Sequence, residues 1–185
     1  MRELRSYPRH LVPRDFAIQI RSYARIQWPY VQGQGNEIWD FTARENNPLH
    51  FILYDNEVVI SHASVNHRPV EFQGETLNCW GLSTVFTYPA FRKGGFASQL
   101  VRAATEHIQK SQADLAMLFC GHPLRQFYST AGWTPMDTAR VFYGDEKNPT
   151  AKTDNLVMML FVSEKGRRAA KALESNPIYV GPVTW

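Results

Sequence analysis

The sequence predicts a single α/β domain, with a mixed and mostly antiparallel sheet flanked by helices. Two observations carry that prediction. β-Rich runs at residues 49–54, 58–67 and 76–87 are separated by turn chemistry, Asp55, Asn56 and Glu57 in the first gap and Gly74 in the second, which is hairpin patterning. Residues 85–120 then read as strand, glycine turn, helix and strand, the pattern of a right-handed crossover unit. A chain of 185 residues suits one domain with a full core, residues 1–185, of which 164–185 form a C-terminal tail.

The bulk composition narrows the class. Hydrophobic residues at 44% and charged residues at 20% exclude a largely disordered chain. A net charge of +3 and a pI near 8.9 would suit a polyanion, but the lysines and arginines are scattered, so no nucleic-acid partner is expected. Cys79 and Cys120 each sit in an apolar run without a close second cysteine, which predicts two buried reduced thiols. Six histidines without a ligand pair at helical spacing point to no metal. No stretch has the apolar length of a membrane span or a signal peptide, so a cytoplasmic protein with no membrane partner is expected.

Taken in order, Pro13, Arg14 and Asp15 open a helix whose apolar positions Phe16, Ile20 and Tyr23 recur near the helical turn, and Pro29 ends it. Residues 30–36, with Gly33 and Gly35, are a flexible connection bordering a substrate cleft, and 37–44 read as a short second helix. The hairpins follow. In residues 95–110 Ala97, Leu100, Val101, Ala104 and Ile108 share one face, which predicts a helix packed on the sheet. Residues 114–120 are a strand, 124–131 a short helix capped by Gly132, and 140–143 and 156–162 the last paired strands, joined by a polar loop. A basic helical patch at 165–173 leads to a tail ending on Trp185.

The stretch 85–100 carries the chemistry. A strand stops at Pro89, turns through Gly94 and Gly95 and opens a helix, so backbone amides and the positive end of the helix dipole are available to an anion. Lys93, Gly94, Gly95, Phe96 and Ala97 lack the spaced glycines of a dinucleotide fingerprint, and no Gly-Lys-Ser/Thr follows as a P-loop needs. Standing alone, the turn is equally a tight strand-to-helix connection.

It does not stand alone. Arg92, Gly95 and Ala97, followed by Phe127, Tyr128, Gly132 and Trp133, resemble the acetyl-coenzyme A site of the GNAT N-acetyltransferases, and the resemblance covers about residues 58–162. It implies a GNAT fold with a sheet splayed near Val85. It also implies acetyl-coenzyme A as co-substrate, its pyrophosphate on the backbone amides of Arg92, Lys93, Gly94, Gly95, Phe96, Ala97 and Ser98, its pantetheine arm along Val85 and Thr87 like an added strand. Tyr128 matches the tyrosine that protonates the departing thiolate in this family; its plain alternative is a tyrosine packed on the sheet. Ser83 occupies the strand place where these enzymes often carry a glutamate base. It would order a water for the amine proton, or serve only as a strand residue.

Finer features narrow the resemblance. Residues 59–63, 74–80, 124–133 and 149–154 and the terminal tryptophan look like the aminoglycoside 2'-N-acetyltransferases. That family's loop aspartate and C-terminal carboxylate hold substrate ammonium groups, which implies Asp154 and Trp185 here, with Glu37 and Asp40 the nearest acids to the segment that supplies another carboxylate. A homodimer is also implied. The function so expected is acetyl transfer to a primary amine, an aminoglycoside or another small amine or peptide, by direct attack in a ternary complex. A non-catalytic protein binding coenzyme A or an antibiotic is the alternative.

Overall fold

The computed structural model describes residues 1–29 and 48–184. They fall into two compact units, Met1–Asn66 with Leu82–Ala104, and His67–Gly81 with Thr105–Trp185.

In the first unit, β1 (Arg2–Pro8) pairs antiparallel with β2 (Leu49–Asp55), which pairs antiparallel with β3 (Val58–Phe72) through a turn whose Asn56 has φ 53°. The sequence reading leaves β1 as a lead, because Arg2, Glu3 and Arg5 interrupt any apolar alternation. Those charges suit a sheet edge, where they deter further pairing. Helix α1 (Arg14–Gln27) follows Pro13 and buries Phe16, Ile20, Tyr23 and Ala24, one stripe at helical spacing. The stripe packs on Ile52, Tyr54, Val59 and Phe86, with ring centroids 4.7 Å apart for Phe16–Tyr54 and 4.5 Å for Tyr23–Phe86. Each such side chain contributes about 1.5–3 kcal/mol by leaving water.

In the second unit, the end of β3 turns through Gln73 and Gly74, at φ 51° and 82°, into β4 (Glu75–Thr87). Two successive left-handed residues are the signature of a two-residue hairpin. Helix α2 (Phe96–Gln109) links β4 to β5 (Leu115–Cys120), and the two strands run parallel with Cys79, Trp80 and Gly81 opposite Leu115, Ala116 and Met117. Asp114 ties the turn before β5 together. Its carboxylate accepts from the Asn78 N–H (2.8 Å) and from Ser163 Oγ (2.6 Å), and its carbonyl accepts from the Val162 and Ser163 N–H groups. These bonds hold its carboxyl below the usual range even though burial pushes the other way.

Helix α3 (Arg125–Ser129) follows a 3-10 turn, and Gly132 at φ 90° ends the segment before β6 (Thr134–Pro135). Strands β7 (Arg140–Tyr143), β8 (Thr150–Ala151) and β9 (Leu156–Phe161) come next, then α4 (Glu164–Ser175), capped by Ser163 Oγ accepting from the Gly166 N–H at 3.0 Å, and β10 (Pro177–Tyr179). Strands hydrogen-bond in the order β1-β2-β3-β4-β5-β9-β6, with β10-β7-β8 a separate sheet.

The sequence-expected pairing of residues 140–143 with 156–162 is therefore not made. β9 pairs with β5 and β6, and β7 pairs with β8 and β10. The reason lies in burial: Leu156, Val157, Met158, Met159 and Leu160 are all buried, so β9 is interior on both faces, and the one-sided β7 is not its complement. Among the described residues no helix is long and apolar enough to cross a membrane.

Candidate active site

The cradle is built by local backbone rules. Pro89 removes an N–H and stops β4; the chain makes a 3-10 turn, with Phe91 and Arg92 donating to the carbonyls of Tyr88 and Pro89 at 2.9 and 3.2 Å. Lys93 and Gly95 then take left-handed conformations, φ 67° and 75°, and the helical ladder begins only with the Gln99 N–H on the Gly95 carbonyl at 3.1 Å. The N–H groups of Lys93, Gly94, Gly95, Phe96, Ala97 and Ser98 reach no carbonyl among the described residues. Such a run, at the start of a 14-residue helix, is the donor set that a phosphate group needs.

The two glycines have different reasons. At Gly95 a Cβ would meet nothing within 4 Å, so the requirement is the positive φ; at Gly94 a Cβ would lie 2.5 Å from the Phe96 ring, so the requirement is space. Arg2 lies over that ring, 5.0 Å from its centroid. Arg92 is exposed but not loose: its Nε donates to the Thr87 carbonyl (3.3 Å) and its Nη2 to the Tyr23 hydroxyl (2.7 Å), bracing the cradle on β4 and α1.

The strand leading into the cradle is irregular at one residue. Thr84 has φ 48° in the middle of β4, a conformation that a β-branched side chain adopts only when its surroundings impose it. Ser83 and Thr84, adjacent in sequence, consequently reach the same partner: Ser64 Oγ lies 2.9 Å from Ser83 Oγ and 2.6 Å from Thr84 Oγ1. That is a bulge, and it ends regular pleating just before Val85. Val85 and Thr87 lie beyond Gly81, the last residue of β4 in register with β5. Thr87 Oγ1 is 2.9 Å from Ser61 Oγ, which donates to the Phe86 carbonyl at 2.7 Å.

Ser83 is buried, and its hydroxyl also accepts from Asn66 Nδ2 at 3.1 Å. His62, 1% exposed, places Nδ1 3.0 Å from the Thr84 carbonyl and Nε2 2.9 Å from Nδ1 of His50. Burial, then the neighbouring His50, push its pKa down to about 3 against the opposing effect of the Thr84 bond. Sequence reasoning counts His50 and His62 only among six histidines with no ligand pair at helical spacing. The signal available was a histidine in each of two adjacent apolar strands, whose meeting depends on register.

In the second unit, Tyr128 is 6% exposed on α3, and burial, with Cys120 nearby, raises its phenol well above the ordinary value. Phe127 stacks edge-on against it at 4.9 Å, and Trp133 is anchored through Nε1, which donates to Thr105 Oγ1 at 2.9 Å. Asp154 is an exposed loop residue whose carboxylate bonds Lys152 Nζ at 2.6 Å, holding its pKa below the usual range. Lys152, with His122, Asp137, Arg140 and Leu156, lines a cavity of about 350 Å³. The tail is fixed by Arg68, which donates to the carbonyls of Val180 and Val183. Glu37, Asp40, the 30–36 connection, the 37–44 helix and Trp185 lie outside the described residues.

The unbonded amides, the left-handed Lys93 and Gly95 and the bulged strand before them all lie inside residues 15–136, which match the model of the acetyltransferase (GNAT) domain. The chain belongs to the GNAT acetyltransferase family. It is accordingly an acyltransferase. Among solved structures, Escherichia coli YhbS, in complex with CoA, matches with a TM-score of 0.61 and 18% identity over 96% of this chain and 88% of that one. E. coli ElaA matches with a TM-score of 0.59 and 17% identity over 86% and 99% of the two chains. A Brucella melitensis GNAT acetyltransferase, in complex with acetyl-CoA, matches with a TM-score of 0.51 and 18% identity over 71% and 83%. At these identities the likeness is one of fold. A search of curated protein sequences finds no match.

Proposed function

We propose that this GNAT enzyme transfers acetyl from acetyl-coenzyme A to a primary amine of a small molecule. The observation that carries the reading is the run of N–H groups from Lys93 to Ser98, set by two left-handed residues at the start of α2, which fits a pyrophosphate without a side-chain cation. The CoA and acetyl-CoA complexes of the two fold relatives support the choice of anion.

Acetyl-coenzyme A supplies the acetyl group as a thioester. The amides of the cradle hold the phosphates, and Val85 and Thr87 lie along the pantetheine arm as a neighbouring strand would. The Val85 N–H, following the Thr84 bulge, polarises the thioester carbonyl where negative charge develops. The sequence resemblance gives Tyr128, which burial keeps protonated, the role of returning a proton to the departing thiolate. No residue is assigned as a covalent nucleophile. Cys79 is buried with its thiol pushed up to about 12 by burial, and Cys120 is raised for the same reason.

For the acceptor, aminoglycosides are the class that the sequence resemblance favours, with Asp154, Glu37 and the Trp185 carboxylate as ammonium contacts. Asp154 would exchange its Lys152 partner for a substrate ammonium. Incubation with acetyl-coenzyme A and a panel of aminoglycosides, polyamines and peptide amines, read by thiol release, tests both levels. Release that depends on one class of amine identifies the acceptor. Coenzyme binding without release under any amine refutes the transferase reading in favour of a binding protein.

A further inference from the structure

Of the charges that hide β1 from the sequence reading, one reaches the cradle. The Arg2 guanidinium lies over the Phe96 ring, 5.0 Å from its centroid. Phe96 opens α2, and its N–H belongs to the run that meets no carbonyl among the described residues. Its ring folds back over Gly94, so closely that a Cβ there would stand 2.5 Å from it. Cradle backbone, aromatic ring and cation thus follow one another in contact, all within the first unit.

The ring holds Arg2 without using its donors. A cation is drawn to an aromatic face by the ring's quadrupole, which leaves the N–H fork of the guanidinium to an anion. Among the described residues Arg2 has one carboxylate neighbour, Asp55, 3.9 Å from Nε, and its side chain is 56% exposed. The other cations of the cradle are placed differently. Arg92 has Nε and Nη2 on Thr87 and Tyr23, and Lys93 stands on the loop itself.

Coenzyme A carries two kinds of phosphate. Its pyrophosphate suits a run of backbone amides, whereas the 3'-phosphate lies one ribose further out and is a terminal monoester with more negative charge and three open oxygens. We infer that Arg2 binds the 3'-phosphate of the coenzyme, with Phe96 the residue that positions it. The inference rests on the reading of the cradle as the pyrophosphate site. Arg2 stands off from the cradle by the breadth of an aromatic ring, which matches a phosphate set apart from the pyrophosphate by a sugar. The planar fork of a guanidinium pairs two oxygens of such a group at once. Strand β1 then has a part in choosing the donor: it distinguishes coenzyme A from the same molecule without its 3'-phosphate.

Calorimetry on the full chain with coenzyme A and with 3'-dephospho-coenzyme A decides it, and requires no acceptor amine. The wild type should bind coenzyme A about 10-fold more tightly than the dephospho form. Arg2→Met should remove that difference by weakening coenzyme A alone. Arg2→Lys, which keeps the charge but not the fork, should restore part of it, and Phe96→Leu, which keeps the cradle N–H, should give an intermediate value. Equal affinities in the wild type overturn the inference. So does an Arg2→Met protein that weakens both ligands alike, which would put the arginine on the pyrophosphate, and so does discrimination that survives Arg2→Met but is lost in Lys93→Met. Full discrimination in Phe96→Leu removes the ring from its positioning role. A wild type that binds neither ligand refutes the cradle reading and the inference with it, whereas equal binding of both leaves that reading standing and refutes only the role of Arg2.

Discussion

Lowering pH should unfold this protein through His62 in a way that can be isolated from every other group. His62 stays neutral in the folded chain down to about pH 3, whereas an exposed histidine in the unfolded chain takes its proton near 6.5. Between those values the unfolded state binds one proton more, so stability is fully present above about pH 6.5 and falls as pH drops through the window. The slope for one proton is about 1.4 kcal/mol per pH unit, giving a loss of about 2 kcal/mol at pH 5 relative to pH 7. Carboxylates such as Asp114 add to acid lability but do so equally in a His62→Gln variant. Urea unfolding followed by tryptophan fluorescence at pH 8, 7, 6, 5 and 4.5 should therefore give two curves that run parallel above pH 7 and converge below it, by one proton's slope. Curves parallel to pH 4.5 would show that His62 protonates in the folded chain.

Tyr128→Phe should lower kcat by about 100-fold while acetyl-coenzyme A affinity, measured by calorimetry, stays the same; an unchanged kcat would remove the phenol from its assigned role. Gly95→Ala should fold, since its Cβ meets nothing within 4 Å, but at φ 75° it should lose about 1 kcal/mol of stability and bind the coenzyme several-fold more weakly. Equal affinity would mean that the cradle is not the phosphate site. Gly166→Ala puts a Cβ 1.9 Å from the Asp114 carbonyl oxygen, a backbone atom that cannot swing away, and should cost about 2–3 kcal/mol in a denaturant titration. Finally, neither Cys79 nor Cys120 should react with a disulfide reagent at pH 8 until the protein is denatured, when both should; a fast native reaction would contradict the buried, raised thiols.

The cradle was legible in the sequence because it is made of local backbone chemistry. Pro89 stops a strand, Gly95 permits a left-handed turn and the stripe of Leu100, Val101, Ala104 and Ile108 declares a helix, each within one or two turns of chain. The same holds for α1 and for the turn at Gln73 and Gly74. What tertiary structure alone decided was pairing. β1 is a strand only because β2, some fifty residues away, takes Arg2 opposite Asp55 and Pro8 opposite Leu49; β9 leaves β7 for β5 because both of its faces are apolar. Thr84 was invisible, since a threonine in a β-rich run predicts a regular strand, and its left-handed φ is held by partners from β3. The histidine pair was hidden for the same reason, as residues 50 and 62 meet only through the β2–β3 register. The sequence by itself determined the family and the backbone shape of the cradle, because backbone turns and helix termini are properties of neighbouring residues. Only the folded chain decided which side chains gather at the bulge, because side-chain contacts between strands depend on register, and register is a property of the whole sheet.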